Sequence, residues 1–159
     1  MEHYEKSEPD YDKFIHLVQK NIRVGIVYTM WNGLIVKAIK DQCINTLKSY
    51  DICHIIEVAV PGSFELAFVS EKLTPEVDVI IAIGCLIQGE TKHMETIATA
   101  IASQLITNKS IPIIFGILTC ETLQQAIDRI PLGVSYAKSA MIMTTISDQI
   151  MMSNSTPNL

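Results

Sequence analysis

Four stretches of the chain are apolar at nearly every position, and each is followed by a segment whose apolar residues recur at helical spacing. Apolar runs of this length that are rich in β-branched residues indicate strands buried on both faces of a sheet. The pattern therefore predicts four strands, which read IRVGIVYTM, HIIEVAVPG, VDVIIAIGCLI and IPIIFGILTC.

A helix is predicted after every strand: over residues 34–50, over SFELAFVSEKL with Ser63 as N-cap, from near Thr91, and over residues 122–130. Pro131 interrupts the last of these, and a helical pattern resumes over residues 135–151. Parallel strands need crossover connections of this kind. The sequence thus predicts an α/β fold, a three-layer αβα sandwich with a four-stranded parallel sheet.

Composition bounds the organisation and the partners. The 159 residues fit one compact domain, and a hydrophobic content of 48% exceeds what its core needs, which indicates self-association. A net charge of -5 with scattered basic residues argues against nucleic acid and anionic membranes as partners. We expect one domain over residues 22–152, between a polar leader at 1–21 and a polar tail at 153–159.

Cysteine and histidine spacing bear on compartment and metal. The four cysteines form no CxxC pair and lie within or beside apolar segments, which is typical of reduced thiols. The chain shows no signal peptide, and its longest apolar run is far shorter than the roughly 20 residues of a membrane span. We therefore expect a cytoplasmic protein. No histidine has metal-ligand spacing, so we expect no metal site.

Chemistry-bearing residues cluster where the predicted strands end. Ligands of parallel sheets bind outside the carboxyl ends of the strands. The four junctions are Tyr28-Thr-Met-Trp-Asn32, Val60-Pro-Gly-Ser-Phe-Glu65, Gly84-Cys-Leu-Ile-Gln-Gly-Glu-Thr-Lys-His93 and Phe115-Gly-Ile-Leu-Thr-Cys-Glu-Thr122. They hold the only Trp together with aromatic, acidic and hydroxyl side chains, which is the composition of a binding site.

Taken singly, each junction has two interpretations. Gly89 to Thr91 could bind an anion at a helix start with His93 as a proton carrier, or Thr91 could cap the helix beside a solvated histidine. Ser63 and Glu65 could bind a polar ligand or complete a helix start. Trp31 could be a stacking platform or an interface residue.

Together, the junctions resemble those of the lumazine synthase family over residues 22–145. The resemblance rests on five motifs in chain order: Trp31-Asn32, VPGSFE at 60–65, IGCLIQGETKH at 83–93, PIIFGILT at 112–119 and QAIDR at 125–129. It implies a flavodoxin-like fold and a transferase of riboflavin biosynthesis without metal or organic cofactor. The implied reaction condenses 5-amino-6-(D-ribitylamino)uracil with 3,4-dihydroxy-2-butanone 4-phosphate to 6,7-dimethyl-8-ribityllumazine, phosphate and water.

The resemblance also implies residue roles. His93 would shuttle protons. The uracil partner would be bound by Trp31, Ser63, Phe64, Glu65, Cys85, Leu86, Ile87 and, from a neighbouring subunit, Phe115. The butanone phosphate would be bound by Glu90, Thr91 and the neighbour's Arg129. The family implies a homo-oligomer, a ring of five subunits or a sixty-subunit shell, with active sites between subunits.

Some positions depart from the family pattern. Met30 stands where the family usually has Arg, Met94 replaces an aromatic residue, Ile142 replaces an acid, and the segment Ile130-Pro-Leu-Gly133 is shorter and more apolar. The shortened segment motivates a second hypothesis, a relative that binds flavin or lumazine with little turnover. A flavodoxin-like signalling or FMN domain is a third, but residues 28–32 offer neither an acidic cluster nor a phosphate loop.

Overall fold

The computed structural model of the chain describes residues 9–91, 93–107 and 110–154. Its strands are β1 (Arg23–Thr29), β2 (His54–Val60), β3 (Val79–Ile87) and β4 (Ile113–Cys120). Its helices are α1 (Asp12–Ile15), α2 (Gly33–Ser49), α3 (Leu66–Leu73), α4 (His93–Ile106), α5 (Leu123–Asp128) and α6 (Leu132–Asn154). All four predicted strands are confirmed, and each is followed by a helix.

The strands form one fully parallel sheet in the order β2-β1-β3-β4. Helices α2, α5 and α6 contribute to the apolar cluster on one face, and α3 and α4 contribute to the cluster on the other. The three-layer αβα prediction is therefore confirmed. Because the chain leaves β1 toward β2 on one side and later reaches β3 on the other, the strand order reverses between β1 and β3. Ligands of such sheets bind at that reversal.

Three predicted helix boundaries differ from the structure. Ser63 is not the N-cap of α3: residues 63–65 form a 3-10 turn, and α3 begins only at Leu66. Thr122 lies outside α5 as its cap, where its side-chain oxygen accepts from the Gln125 amide. Helix α6 begins at Leu132 rather than at residue 135. Pro131 directly precedes it, and a proline at a helix start costs no internal hydrogen bond and presets φ.

Part of the segment predicted as a polar leader packs on the domain. The single-turn helix α1 leads to Ile15 and Val18, which contact the apolar cluster shared by α2 and α6. Helix α6 extends to Asn154, two residues into the predicted tail. Residues 1–8 and 155–159 of the predicted leader and tail lie outside the described residues. In the ranges that are described, no helix is both long and apolar enough to cross a bilayer.

An ion pair joins the starts of β1 and β3. The Arg23 guanidinium donates to both carboxylate oxygens of Asp78, at 3.3 and 2.8 Å, and the Arg23 backbone N–H donates to the same carboxylate at 2.7 Å. In return, the Asp78 amide donates to the Arg23 carbonyl at 2.8 Å. Hydrogen bonding from Arg23 lowers the pKa of Asp78 below its ordinary value of 3.8.

We expect Asp78→Asn to destabilise the fold at neutral pH by about 1 kcal/mol, a modest value because both partners are partly exposed. A carboxyl whose pKa is lowered by folding stabilises the native state above its unfolded pKa, and this contribution is lost as pH falls through the folded pKa. The difference from wild type should therefore shrink between pH 5 and pH 2 in urea unfolding. Asp41→Asn, which breaks an exposed ion pair with Lys37 one helical turn away, is the control. It should lower the free energy of unfolding by only about 0.3 kcal/mol.

Candidate active site

The exits of β1 and β2 meet in direct contact. The backbone N–H of Met30 donates to the Val60 carbonyl at 2.9 Å, which carries the β1–β2 pairing one residue past the last strand pair. Trp31 then lies against Gly62: a side chain added at Gly62 would place its first carbon 3.5 Å from Trp31 Cδ1. The indole edge thus lies within van der Waals reach of Gly62, while Trp31 remains 75% exposed.

The turn at residues 63–65 connects this contact to β3. Ser63 is buried, and its Oγ would lie 3.1 Å from a first side-chain carbon at Gly84, so the hydroxyl sits directly over β3. Glu65 Oε2 accepts from the Gly62 backbone N–H at 2.9 Å, which fixes the carboxylate at the β2 exit. One carboxylate oxygen is engaged in this way, and Oε1 remains for a ligand hydroxyl or N–H. Phe64, between these two residues in the turn, is half-exposed.

The carboxyl end of β3 supplies an uncharged wall. Cys85 is buried, whereas Leu86 and Ile87 are half-buried. Burial, with a smaller contribution from nearby Cys120, raises the pKa of Cys85 to about 11. Cys85 is therefore a neutral thiol at physiological pH and is not suited to act as a thiolate nucleophile. All four cysteines are free, with Cys53 exposed and the other three buried.

The loop that precedes α4 is tied down by Gln88. The backbone N–H of Gln88 donates to the Cys120 carbonyl at 2.8 Å. Its side-chain Nε2 donates to the carbonyls of Gly89 at 3.2 Å and Thr91 at 2.7 Å. Two carbonyl groups that would repel an anion are thus engaged. Glu90, Thr91 and His93 are exposed, and His93 is the first residue of α4.

Phe115 and Arg129 belong to β4 and to the end of α5, outside the three strand exits described above. Phe115 pairs with Ala82, three residues before Cys85, or about 10 Å down the sheet at roughly 3.3 Å per residue. It is 39% exposed on the edge strand. Arg129 ends α5, which packs on the opposite face of the sheet from α4, and its NH1 donates to the Gln125 carbonyl at 2.9 Å.

The pKa values of two neighbouring side chains show where Arg129 lies. Burial raises the pKa of Tyr136 to about 12 and raises that of Cys120, while the Arg129 charge opposes both shifts. Arg129 therefore lies near the α5–α6 side of β4, and its exposed guanidinium is available to a group from outside the chain. Of the predicted site residues, contacts within one chain join those at the ends of β1, β2 and β3, whereas Phe115 lies lower on β4 and Arg129 lies beside Cys120 on the α5 face.

Two residues of this region received no role from the sequence. Gln88 braces the loop before α4, and Asn32 donates from Nδ2 to the Cys85 carbonyl at 2.8 Å. The Asn-Gly pair at residues 32–33 was a usable signal for Asn32, because Asn tolerates left-handed backbone better than most residues. Among the described residues, no group of three or more His, Cys, Asp or Glu side chains is placed to hold a metal ion.

Comparison with known proteins agrees with this arrangement. The sequence model of the family described as 6,7-dimethyl-8-ribityllumazine synthase matches residues 21–148. A protein of that name from Flavobacterium johnsoniae is 38% identical over 131 residues, covering 78% of this chain and 69% of the relative. One from Prochlorococcus marinus strain MIT 9215 is 36% identical over 140 residues, covering 79% and 89%. One from Porphyromonas gingivalis is 38% identical over 127 residues, covering 76% and 79%. The chain belongs to the 6,7-dimethyl-8-ribityllumazine synthase family.

Proposed function

We propose that this chain is a transferase of riboflavin biosynthesis that condenses 5-amino-6-(D-ribitylamino)uracil with 3,4-dihydroxy-2-butanone 4-phosphate. The observation that carries the proposal is the joining of the β1, β2 and β3 exits into one surface, through Trp31 against Gly62 and Ser63 over Gly84. Family membership over residues 21–148 supports the same reaction. The products are 6,7-dimethyl-8-ribityllumazine, phosphate and water.

The uracil partner binds where flat and polar groups adjoin. The exposed indole of Trp31 offers a face for the pyrimidine ring, and Phe64 adds a second aromatic surface. The Ser63 hydroxyl donates to or accepts from the ribityl hydroxyls, and Oε1 of Glu65 accepts from ribityl hydroxyls or ring N–H groups. Cys85, Leu86 and Ile87 form the uncharged wall, and Phe115 of a neighbouring subunit closes the pocket.

The butanone phosphate binds at the loop before α4. Glu90 and Thr91 contribute backbone N–H groups and a hydroxyl, and Gln88 holds that loop in place. A guanidinium matches phosphate geometry through paired donors, so Arg129 of the neighbour completes the phosphate site. Met30 is exposed beside Trp31 and supplies no charge where the family usually has Arg. Arg129 therefore carries a large share of phosphate binding.

His93 moves protons in this proposal. The 5-amino group attacks the ketone and water leaves to give an imine, phosphate is then eliminated, and ring closure releases a second water. Each step needs a proton at a leaving oxygen or removed from a nitrogen or carbon, and imidazole can do both near neutral pH. Alignment of the two substrates supplies much of the remaining acceleration.

The proposal includes assembly into a ring of five subunits, alone or as part of a sixty-subunit shell. Its support is that Phe115 lies three residues below Cys85 in the sheet register and that Arg129 follows α5, on the sheet face opposite α4. Exposed apolar side chains add to this, among them Leu34 at 87% and Ile106 at 75%. We place the catalytic domain at residues 22–152 and the enzyme in the cytoplasm, where four free cysteines remain reduced.

The direct experiment supplies both substrates to the purified chain and follows lumazine absorbance. Product formation is expected at concentrations where the protein assembles, and its absence there would contradict the proposed reaction. Riboflavin bound on purification without turnover would instead favour the flavin-binding relative.

Arg129→Ala should raise the KM for butanone phosphate by about tenfold or more, because a charged hydrogen bond to phosphate is lost. The KM for the uracil partner should change by less than about twofold. Arg129→Lys keeps the charge but not the fork of donors and should fall between. Lys48→Ala, which removes an exposed cation at the far end of α2, is the control. An effect confined to the uracil partner would exclude Arg129 from the phosphate site.

A further inference from the structure

Asn32 has a backbone conformation that its position does not require. It precedes the first residue of α2, where most residues adopt extended backbone and cap the helix with a side-chain oxygen. Asn32 instead has φ 54° and ψ 39°, in the left-handed region, and its side chain makes no capping bond. In the described residues, Asp51 is the only other non-glycine residue with positive φ.

The side chain that could cap the helix bonds to β3 instead. Asn32 Nδ2 donates to the Cys85 carbonyl at 2.8 Å. The backbone pairing of β1 with β3 ends at Tyr28 with Ile83, so this amide continues the seam where the backbone ladder has stopped. The seam is the reversal of strand order at which ligands of such sheets bind.

Left-handed backbone is uncommon for residues with a side chain, although Asn adopts it more readily than most, and neighbouring contacts can hold it in place. Here the contacts lie on both sides of Trp31. The Met30 N–H is held by the Val60 carbonyl of β2, and Asn32 is held by Cys85 of β3. The Trp31 backbone is therefore anchored to two strands, one residue before it and one residue after it.

We propose that Asn32 is a positioning residue. The hydrogen bond from its side-chain amide to the Cys85 carbonyl holds the Trp31 ring at the pyrimidine site and fixes its distance from the Cys85 wall. The assignment of Trp31 to the pyrimidine rests on the proposed function. The anchoring of Trp31 by Asn32 rests on the geometry alone. Asn32 acts through Trp31 and Cys85, and its effect falls on the uracil partner and not on the phosphate.

Two substitutions separate the effect of the Asn32 side-chain hydrogen bond from the effect of the backbone conformation. Asn32→Gly removes the donor and adopts left-handed backbone without strain. Asn32→Asp keeps the size and the tolerance for this backbone, but places a carboxylate oxygen against the Cys85 carbonyl. Asn45→Asp makes the same chemical change on an exposed face of α2 and is the matched control. Far-ultraviolet circular dichroism and size-exclusion chromatography verify that each variant folds and assembles like wild type.

Trp31 is the only tryptophan of the chain, so its fluorescence reports this one residue. We expect both Asn32 variants to increase the fast, local component of Trp31 anisotropy decay, with Asn45→Asp matching wild type. In steady-state kinetics, kcat/KM for the uracil partner should fall about tenfold, the effect of losing one hydrogen bond that orders the site. The KM for butanone phosphate should stay within about twofold of wild type.

Unchanged Trp31 motion in Asn32→Gly would overturn the proposal, and so would equal kinetic losses for both substrates. Reduced thermal stability without faster Trp31 motion would assign Asn32 a purely structural role and would also overturn it. If the wild-type chain makes no lumazine, the proposed function fails. Trp31 motion in the variants then still decides whether Asn32 anchors Trp31.

Discussion

Gly133→Ala is expected to lower the stability of the fold by about 2 kcal/mol or more, with a fall in Tm of about 5 °C. Gly133 is the second residue of α6 and is buried where α6 crosses α2. A first side-chain carbon there would lie 2.5 Å from the Ile39 carbonyl oxygen and 2.7 Å from Gln42 Cβ. The nearer of these is backbone of α2, which cannot rotate away as a side chain can.

The close crossing is also held by a hydrogen bond, because Cys43 Sγ donates to the Gly133 carbonyl at 3.2 Å. Separating the helices to admit a methyl group would lengthen that bond and open the cluster around Met141. The intrinsic helix preference of Ala over Gly, about 1 kcal/mol, offsets part of the cost.

Gly33→Ala provides the matched control, since Gly33 begins α2 and has no atom within 4 Å of the place a side chain would occupy. It should be neutral or slightly stabilising. Thermal unfolding by circular dichroism at fixed protein concentration measures both variants. A Gly133→Ala protein as stable as wild type would mean that the two helices have room to separate.

His93→Ala is expected to lower kcat by about 100-fold with little change in either KM, the range typical of losing an acid-base group. The substitution removes the only imidazole at the carboxyl edge of the sheet among the described residues, at an exposed position whose loss opens no cavity. Folding should therefore be unaffected. Stopped-flow and steady-state absorbance with both substrates measure the effect.

His16→Ala is the control, because His16 is exposed just after α1 and away from the strand exits. Added imidazole should restore part of the His93→Ala rate if the missing function is proton transfer. An unchanged kcat in His93→Ala would remove His93 from the reaction, and a loss that imidazole cannot restore would point to a binding role instead.

The fold was predictable because its signals were local. Runs such as Val79–Ile87 are apolar at odd and even positions alike, which only a strand covered on both faces requires. Pro131 located the break before α6. The 3-10 turn at residues 63–65 was not predictable in this way. In this turn Ser63 packs over Gly84, a contact between segments about twenty residues apart that spacing cannot reveal.

The candidate site was predictable in part for the same reason. The ends of parallel strands share one edge, so Trp31, Ser63 and Cys85 could be placed together from topology alone. The role of Asn32 depends on a backbone angle and on a single hydrogen bond from its side chain, and neither follows from residue type. The separation of Arg129 from His93 depends on which face each helix covers, and helical periodicity does not specify that choice.

That separation has a genetic consequence in the proposed ring. Each catalytic centre takes His93 from one chain and Arg129 from another, so a lesion in one gene copy is not confined to the product of that copy. Two alleles, one defective at each residue, would restore some intact centres in mixed rings, about one in four at equal expression with random assembly. A chain that lacks both residues would inactivate the centres on its two sides and act as a dominant inhibitor of its wild-type neighbours.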